Sequence, residues 1–159
     1  MVISDRDIKT IGQFIINELA SELIKQDHKA TGKLISSLDY NVEESLLSTD
    51  LLITMQDYGS YVNRGRKRGA AKVPIQALVE WIKQKGIETN NKKVLGMAFA
   101  IQKTIEKQGI PTANSRKRGK RTEFVDDTIK RIQSEVERRI TEATFRQVDI
   151  IVDNFVARI

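Results

Sequence analysis

The stretch "LDYNVEESLLSTDLLITMQD", residues 38–57, decides the fold class, because here the apolar residues change from helical spacing to a period of two. Two alternating runs flank the turn-like "STD" at 48–50, and their apolar members are Leu38, Tyr40, Val42, Leu51, Ile53 and Met55. This pattern predicts an antiparallel hairpin over about residues 39–57. Because a lone hairpin is marginal in water, we expect it to lie on helices and to have an edge that can pair with a neighbouring copy.

The segments around the hairpin have the three-and-four apolar spacing of amphipathic helices. They predict helices over residues 5–25, 74–85 and 91–108, with a short helical turn after Thr31, which can cap it. Pro74 suits a first helical position, and Gly86 and Gly109 suit the residue after a last turn. The expected fold is α+β, with a small antiparallel hairpin packed against several α-helices and a loop at 110–121.

The last segment is expected to be one long C-terminal helix that starts after an N-cap at Thr122. About 35 helical residues would extend about 50 Å, more than so small a protein can cover. Its apolar side therefore packs on another chain, or the helix breaks near "TEATF" at 141–145 and folds back; we favour the first. The predicted organisation is a core over 1–122, with basic loops at 64–72 and 115–121, and an oligomer-packing helix over 123–159.

The net charge of +6 is concentrated in two runs of basic residues without acids. The first run contains Arg64, Arg66, Lys67, Arg68 and Lys72, and the second contains Arg116, Lys117, Arg118, Lys120 and Arg121. Without these ten cations the other residues carry −4. A mildly acidic body with two basic loops predicts contacts with DNA or with an acidic protein, and the alternative is that both loops are merely solvated.

Catalytic and metal-binding patterns are not evident in the sequence. The chain has no cysteine, and His28, the single histidine, has only Asp27 as a neighbouring acid, so we expect it to be a surface residue. The acid pair at 43–44 falls on opposite faces of a strand, and the pair at 126–127 suits a helix start. "GRKRGAAK" at 65–72 lacks the spacing of a phosphate-binding loop. We therefore expect no enzyme activity, no cofactor and no metal.

The N-terminus does not resemble a signal peptide, and no apolar run approaches the roughly 18 residues that span a bilayer. Tyr58 and Tyr61 lie three residues apart, so nucleic-acid bases could stack on them beside the first basic run. The favoured alternative is that both rings close the core between hairpin and helix.

Five motifs in order resemble the neck, or tail-completion, family of tailed bacteriophages. They are "TGKLISSL" at 31–38, "DYGSYVNRG" at 57–65, "VPIQALVEWIKQKGI" at 73–87, "MAFAIQKTIEKQGI" at 97–110 and "EFVDDTI" at 123–129. The family commonly shows a TGxLxxS turn, an aromatic-small-x-aromatic-x-x-x-G element and, in one subset, a Trp-Ile helix before an AxxIxxxIxxxG helix. The resemblance covers about two thirds of the chain and transfers, as fold-shaping positions, Gly32, Leu34, Tyr58, Tyr61, Gly65, Pro74, Trp81, Ile82 and Gly109.

This resemblance implies a head-tail connector: a structural virion protein, without an active site, that forms a ring at the head-tail joint through which DNA passes. The implied partners are further copies of the chain (a dodecamer, with a hexamer as the alternative), the portal, neighbouring neck and tail proteins, and non-specifically held double-stranded DNA. The implied location is the virion, assembled in the host cytoplasm. Asn63 and Arg66 depart from the family pattern, so a DNA-facing role of the loop belongs to this sequence.

Two other functions compete with the connector. A stand-alone nucleic-acid-binding module would use both basic loops and bind duplex DNA tightly as a monomer, with strong salt dependence. An enzyme such as a nuclease is a third, weaker alternative.

Overall fold

A computed structural model describes residues 3–28, 32–45, 48–117 and 119–157. Its elements in chain order are α1 (Asp5–Lys25), α2 (Lys33–Ser36), β1 (Asp39–Glu44), β2 (Thr49–Thr54), α3 (Gly59–Arg64), α4 (Ile75–Gln84), α5 (Asn91–Gln108), α6 (Ala113–Arg116) and α7 (Phe124–Val156). The α+β class, with one antiparallel hairpin and a long C-terminal helix, is confirmed. Thr31, the predicted cap before α2, lies outside the described residues. None of the helices within those residues is both long and apolar enough to cross a bilayer.

The predicted hairpin is confirmed, and it packs on α1. Strands β1 and β2 pair antiparallel from Asp39 opposite Thr54 to Glu44 opposite Thr49. Gly12 of α1 lies under the ring of Tyr40, because a Cβ at Gly12 would approach two ring carbons to 2.9 Å. The missing side chain therefore allows the strand to lie close to the helix.

The chain forms two compact units. The first, here called the hairpin unit, contains Met1–Glu22, Ser37–Gln56 and Val125–Ile159. The second, the loop unit, contains Leu23–Ser36 and Asp57–Phe124.

In the hairpin unit, α1 and α7 run antiparallel. Asp7 accepts a hydrogen bond from Arg146 at 2.8 Å, and the Arg139 guanidinium lies 4.2 Å from the centre of the Phe14 ring. Ion pairs this exposed are worth about 0–1 kcal/mol each, so apolar burial provides most of the stability. The buried apolar residues of the two helices in this unit are Ile8, Ile11, Ile15, Leu19, Ile132 and Ala143.

Helix α7 is continuous, so the alternative of a break at 141–145 is wrong. The predicted cap at Thr122 is also wrong by one residue. Glu123 has a positive φ of 62° and donates its N–H to the Asn63 carbonyl at 2.6 Å, so the helix begins at Phe124. Its 33 residues extend about 50 Å at 1.5 Å per residue.

The second half of α7 exposes a row of apolar side chains, here called the C-terminal stripe. Its members are Phe145, Val148, Ile151, Val152, Phe155 and Val156, which are between 43% and 67% exposed. At 3.6 residues per turn they share an arc of about 140°, on the side away from the buried Ile132 and Ala143. The same helix thus has one apolar side inside the unit and a second one exposed.

The loop unit is centred on the two predicted helices α4 and α5. Its core contains Leu78, Ile82, Val94, Ala98 and Ile105, with Val73, Ile75, Val79, Met97 and Ile101 packed against it. Pro74 immediately precedes α4 rather than starting it, and Gly86 has the positive φ expected after a helix. The expected loop at 110–121 contains the short helix α6, because the Thr112 hydroxyl accepts the Ser115 N–H and so caps a turn.

Candidate nucleic-acid interface

The two units differ sharply in charge. The loop unit holds 19 of the 27 lysine and arginine residues but only 6 of the 21 aspartate and glutamate residues, a net charge of +13. The hairpin unit has the remaining 8 cations and 15 acids, a net charge of −7. Both basic loops belong to the loop unit, and nine further cations lie there with them. A polyanion is therefore attracted to this unit as a whole.

The first basic loop, residues 64–72, is held by backbone hydrogen bonds to the end of α5. Arg66 and Ile110 exchange two N–H···O bonds of 2.9 Å each, and the Gly69 N–H donates to the Glu106 carbonyl at 3.0 Å. The Arg66 guanidinium donates to the Ala71 carbonyl across the loop, so this side chain supports the loop conformation. The loop is thus a fixed platform rather than a free coil.

The other four cations of this loop point to solvent. They are Arg64, Lys67, Arg68 and Lys72, all exposed, and none forms an ion pair with the described residues. An unpaired exposed cation can bind a phosphate without first breaking an internal contact.

The backbone of the first basic loop lies against residue 110, and glycine is required on both sides of this contact. Gly65 and Gly109 have φ of 72° and 76° with ψ near 180°, a region open essentially only to glycine. A Cβ would lie 2.3 Å from the Ile110 oxygen at Gly65, and 2.4 Å from the Arg66 oxygen at Gly109. These two fold-shaping positions therefore hold the basic platform in place.

The second basic loop, residues 115–121, is only partly available. Arg116 and Lys117 are exposed, and Arg118 lies outside the described residues. Lys120 pairs with Glu123 at 2.9 Å, and Arg121 pairs with Asp27 and has a side chain only 21% exposed. Arg121 therefore acts mainly as an internal contact, and this loop offers less free charge than the sequence indicates.

Asp27 ties the second loop to the end of α4. It has a φ of 58°, accepts a hydrogen bond from Lys85 at 3.1 Å and pairs with Arg121. These hydrogen bonds from Lys85 and Arg121 lower the pKa of the Asp27 carboxyl below its usual 3.8. His28, expected at the surface, is half-buried instead, with its Nε2 3.1 Å from the Arg121 carbonyl oxygen. The Nε2–H donates in this arrangement, which positions a loop rather than a substrate.

The partial burial of His28 predicts how the stability of the fold depends on pH. Burial lowers the pKa of its imidazole below 6.5, so the unfolded chain binds this proton more readily than the folded one. The contribution of the neutral imidazole to the free energy of unfolding is complete above pH about 6.5 and is lost as the pH falls through 6.5 to the folded pKa.

As the single histidine, His28 should give one resolved NMR titration with a midpoint below 6.5. His28→Gln, which keeps a donor, should flatten the fall in melting temperature between about pH 7.5 and 5. A midpoint at or above the ordinary value would contradict the assignment.

The tyrosine expectation is wrong. Tyr61 is 63% exposed and Tyr58 is 39% exposed, so the two rings do not close the core. Tyr61 lies one turn before Arg64 on α3, which places an exposed ring beside an exposed guanidinium. Such a pair can stack on a sugar or an unpaired base while the cation contacts a phosphate.

Acidic groups suited to metal chemistry are not brought together in the part of the chain that the structure describes, where no cluster of three His, Cys, Asp or Glu could hold an ion. Six of the nine cations of the loop unit outside the two runs lie on or directly after α4 and α5, where other residues of these helices separate most of them. For that reason they do not stand out in the sequence, although helical spacing could have revealed those on α5.

No protein-family model, curated protein or solved structure matches this chain.

Proposed function

We propose that this chain is a structural subunit of the tailed-phage head-tail joint, where copies form a ring and the loop unit contacts passing double-stranded DNA. The observation that carries the proposal is the charge difference between the units, +13 against −7. Because the net positive charge is concentrated in one unit, a subunit can face DNA with that unit and contact other proteins with the other. The portal, neighbouring neck and tail proteins, virion location and ring size of twelve or six copies are all part of this proposal.

The nature of the basic contacts supports passage of DNA rather than sequence recognition. Contacts from lysine and arginine to phosphates are independent of sequence and let a protein slide along a duplex. The exposed side chains of the first basic loop are of this kind, and the loop backbone is held at residues 66, 69 and 110. A fixed platform with mobile side chains can hold DNA weakly at any register.

The C-terminal stripe supports assembly with further copies. Packed against a different surface of the next copy, the stripe would bury about 600 Å² on its own side and a similar area on its partner, at the low end of specific interfaces. The three-and-four spacing of Phe145, Val148, Val152 and Phe155 is that of a helix-packing seam. We assign the next copy of the chain as its occupant, in a head-to-tail contact that repeats around the ring.

A monomeric nucleic-acid-binding module remains the second candidate, and the charge of the loop unit favours it equally. The two functions differ in assembly. A connector forms rings, alone or on its portal, that electron microscopy and native mass spectrometry detect, whereas the module binds duplex DNA as a monomer and ignores the portal. A lack of rings under both conditions would rule out the connector.

The DNA contact is tested by neutralising the first basic loop. Arg64→Gln, Lys67→Gln and Arg68→Gln together should lower the slope of log affinity against log salt by about 2 to 3, because each lost phosphate contact removes about 0.9. Fluorescence anisotropy with a random-sequence duplex measures this slope. The matched control removes the same charge from the hairpin unit with Arg6→Gln, Lys9→Gln and Lys130→Gln. Equal slopes for the two variants would contradict a specific role of the loop.

A further inference from the structure

Helix α5 carries a row of lysines on its outer side. At 3.6 residues per turn, Lys92, Lys103 and Lys107 lie within an arc of about 60°, and Lys93 lies beside them. All four are exposed and form no ion pair with described residues. The core residues of the helix, Val94, Ala98 and Ile105, occupy the opposite side. This lysine row extends about 22 Å from Lys92 to Lys107 at 1.5 Å per residue.

The lysine row is continuous with the first basic loop. The Gly69 N–H donates to the carbonyl of Glu106, the residue before Lys107. A Cβ on Gly109, at the end of α5, would meet the backbone of Arg66, Lys67 and Arg68 within 3.3 Å. The exposed cations of the loop therefore stand at the end of the helix where Lys103 and Lys107 lie, and all of these residues belong to the loop unit.

Two features of α5 are unfavourable for the helix by itself. Lys92 and Lys93 occupy the first turn, where cations are unfavourable, and Glu88, which accepts the Thr89 and Asn90 N–H groups before the helix, is the one acid beside them among the described residues. Gly96 is exposed in the helix interior, where glycine is unfavourable, and a Cβ there would meet nothing within 4 Å. An external anion that approaches this side closely would offset the first feature and make use of the second.

We propose that the outer side of α5 is a second phosphate-binding surface, which extends the first basic loop and binds the sugar–phosphate backbone of a duplex. This proposal rests on the DNA contact of the proposed function and names the surface that completes it. A duplex carries one negative charge per about 1.7 Å of its axis. Its phosphates are therefore spaced closely enough to contact the cations at both ends of the row. Between those ends Gly96 and Ala100 present little bulk, and the exposed ring of Phe99 lies at one edge of the row.

The experiment compares two variants of equal charge in the full chain. Lys103→Gln with Lys107→Gln removes two cations from the row, and Lys9→Gln with Lys130→Gln removes two from the hairpin unit. We expect the first variant to bind a random-sequence duplex about tenfold or more weakly in 0.1 M salt and to lower the salt slope by about 2. The second variant should bind like the parent chain.

Gly96→Gln separates the proposed contact from a role in folding. Glutamine favours a helix over glycine, so the melting temperature should rise by about 2 °C, while its bulk should weaken duplex binding several-fold. If this side of α5 were merely solvated, Gly96→Gln would raise the melting temperature by the same amount and leave duplex binding unchanged. That result would overturn the proposal.

The outcomes distinguish this inference from the proposed function. If neutralising the first basic loop weakens binding but the α5 variant matches its control, the α5 surface is refuted and the DNA contact of the loop stands. If the parent chain fails to bind duplex DNA even at low salt, both fail. If the α5 variant loses attachment to an acidic protein partner while its DNA affinity is unchanged, the lysine row is a protein interface and the proposal is overturned.

Discussion

Gly109→Ala should lower the free energy of unfolding by about 3 to 5 kcal/mol, an effect that we expect only Gly65→Ala to match among single added methyl groups in the described residues. The substitution forces alanine into a backbone region that glycine alone occupies readily, with φ of 76° and ψ of −168°. Its Cβ would also approach the Arg66 oxygen to 2.4 Å, and that oxygen is part of the backbone and cannot rotate away. The paired bonds between Arg66 and Ile110 would break to relieve the contact.

Urea unfolding followed by circular dichroism measures this loss, and Gly69→Ala is its matched control. Gly69 also has a positive φ, of 73°, but a Cβ there meets nothing within 4 Å. The control should therefore lower the free energy of unfolding only by the cost of a left-handed backbone conformation, about 1 to 2 kcal/mol. If Gly109→Ala lowered the free energy of unfolding no more than the control does, the contact between the loop backbone and residues 109–110 would be looser than described. Gly65→Ala, with its contact of 2.3 Å to the Ile110 oxygen, should behave like Gly109→Ala.

Phe145→Gln with Phe155→Gln should abolish self-association while leaving the fold of each copy intact. The two rings are 64% and 67% exposed, so their removal costs the single chain little. At an interface each buried aromatic anchor is worth about 2 kcal/mol or more, so the dissociation constant should rise about 1,000-fold for the pair. Sedimentation velocity, with and without the portal, provides the measurement.

The control for the stripe lies on the same helix. Ile129 is 45% exposed but stands outside the C-terminal stripe, so Ile129→Gln should leave assembly unchanged. Each single phenylalanine variant should show an intermediate loss. Assembly that persists in the double variant would assign the ring contact to another surface, and the open edges of the hairpin would be the next candidate.

Elements set by local pattern could be predicted from the sequence. The apolar spacing between Asn91 and Gln108 and the glycine at 109 were enough to predict α5, and the structure adds a cap at Asn90, because helix propensity and capping depend on near neighbours. The hairpin followed from its period of two in the same way.

Features made by residues distant in sequence could not be predicted. The bridge from Arg66 to Ile110 and the pairing of Asp27 with Arg121 each join segments separated by a whole helix or more. Arg121 consequently counted as a free cation in the sequence although it has an acidic partner in the fold. The exposed rings of Tyr58 and Tyr61 are another example, since aromatic residues alone do not say which side of an element is covered.

The opposite charges of the two units have a consequence for the geometry of assembly. Two copies that meet through the same unit bring like charges together, whether −7 against −7 or +13 against +13. The hairpin unit of one copy and the loop unit of the next attract, which favours head-to-tail association over two-fold pairing. Head-to-tail contacts close into a ring only when the rotation between neighbours divides a full circle, and otherwise grow into filaments. This bias is electrostatic, so added salt should weaken it, and DNA should compete for the loop unit.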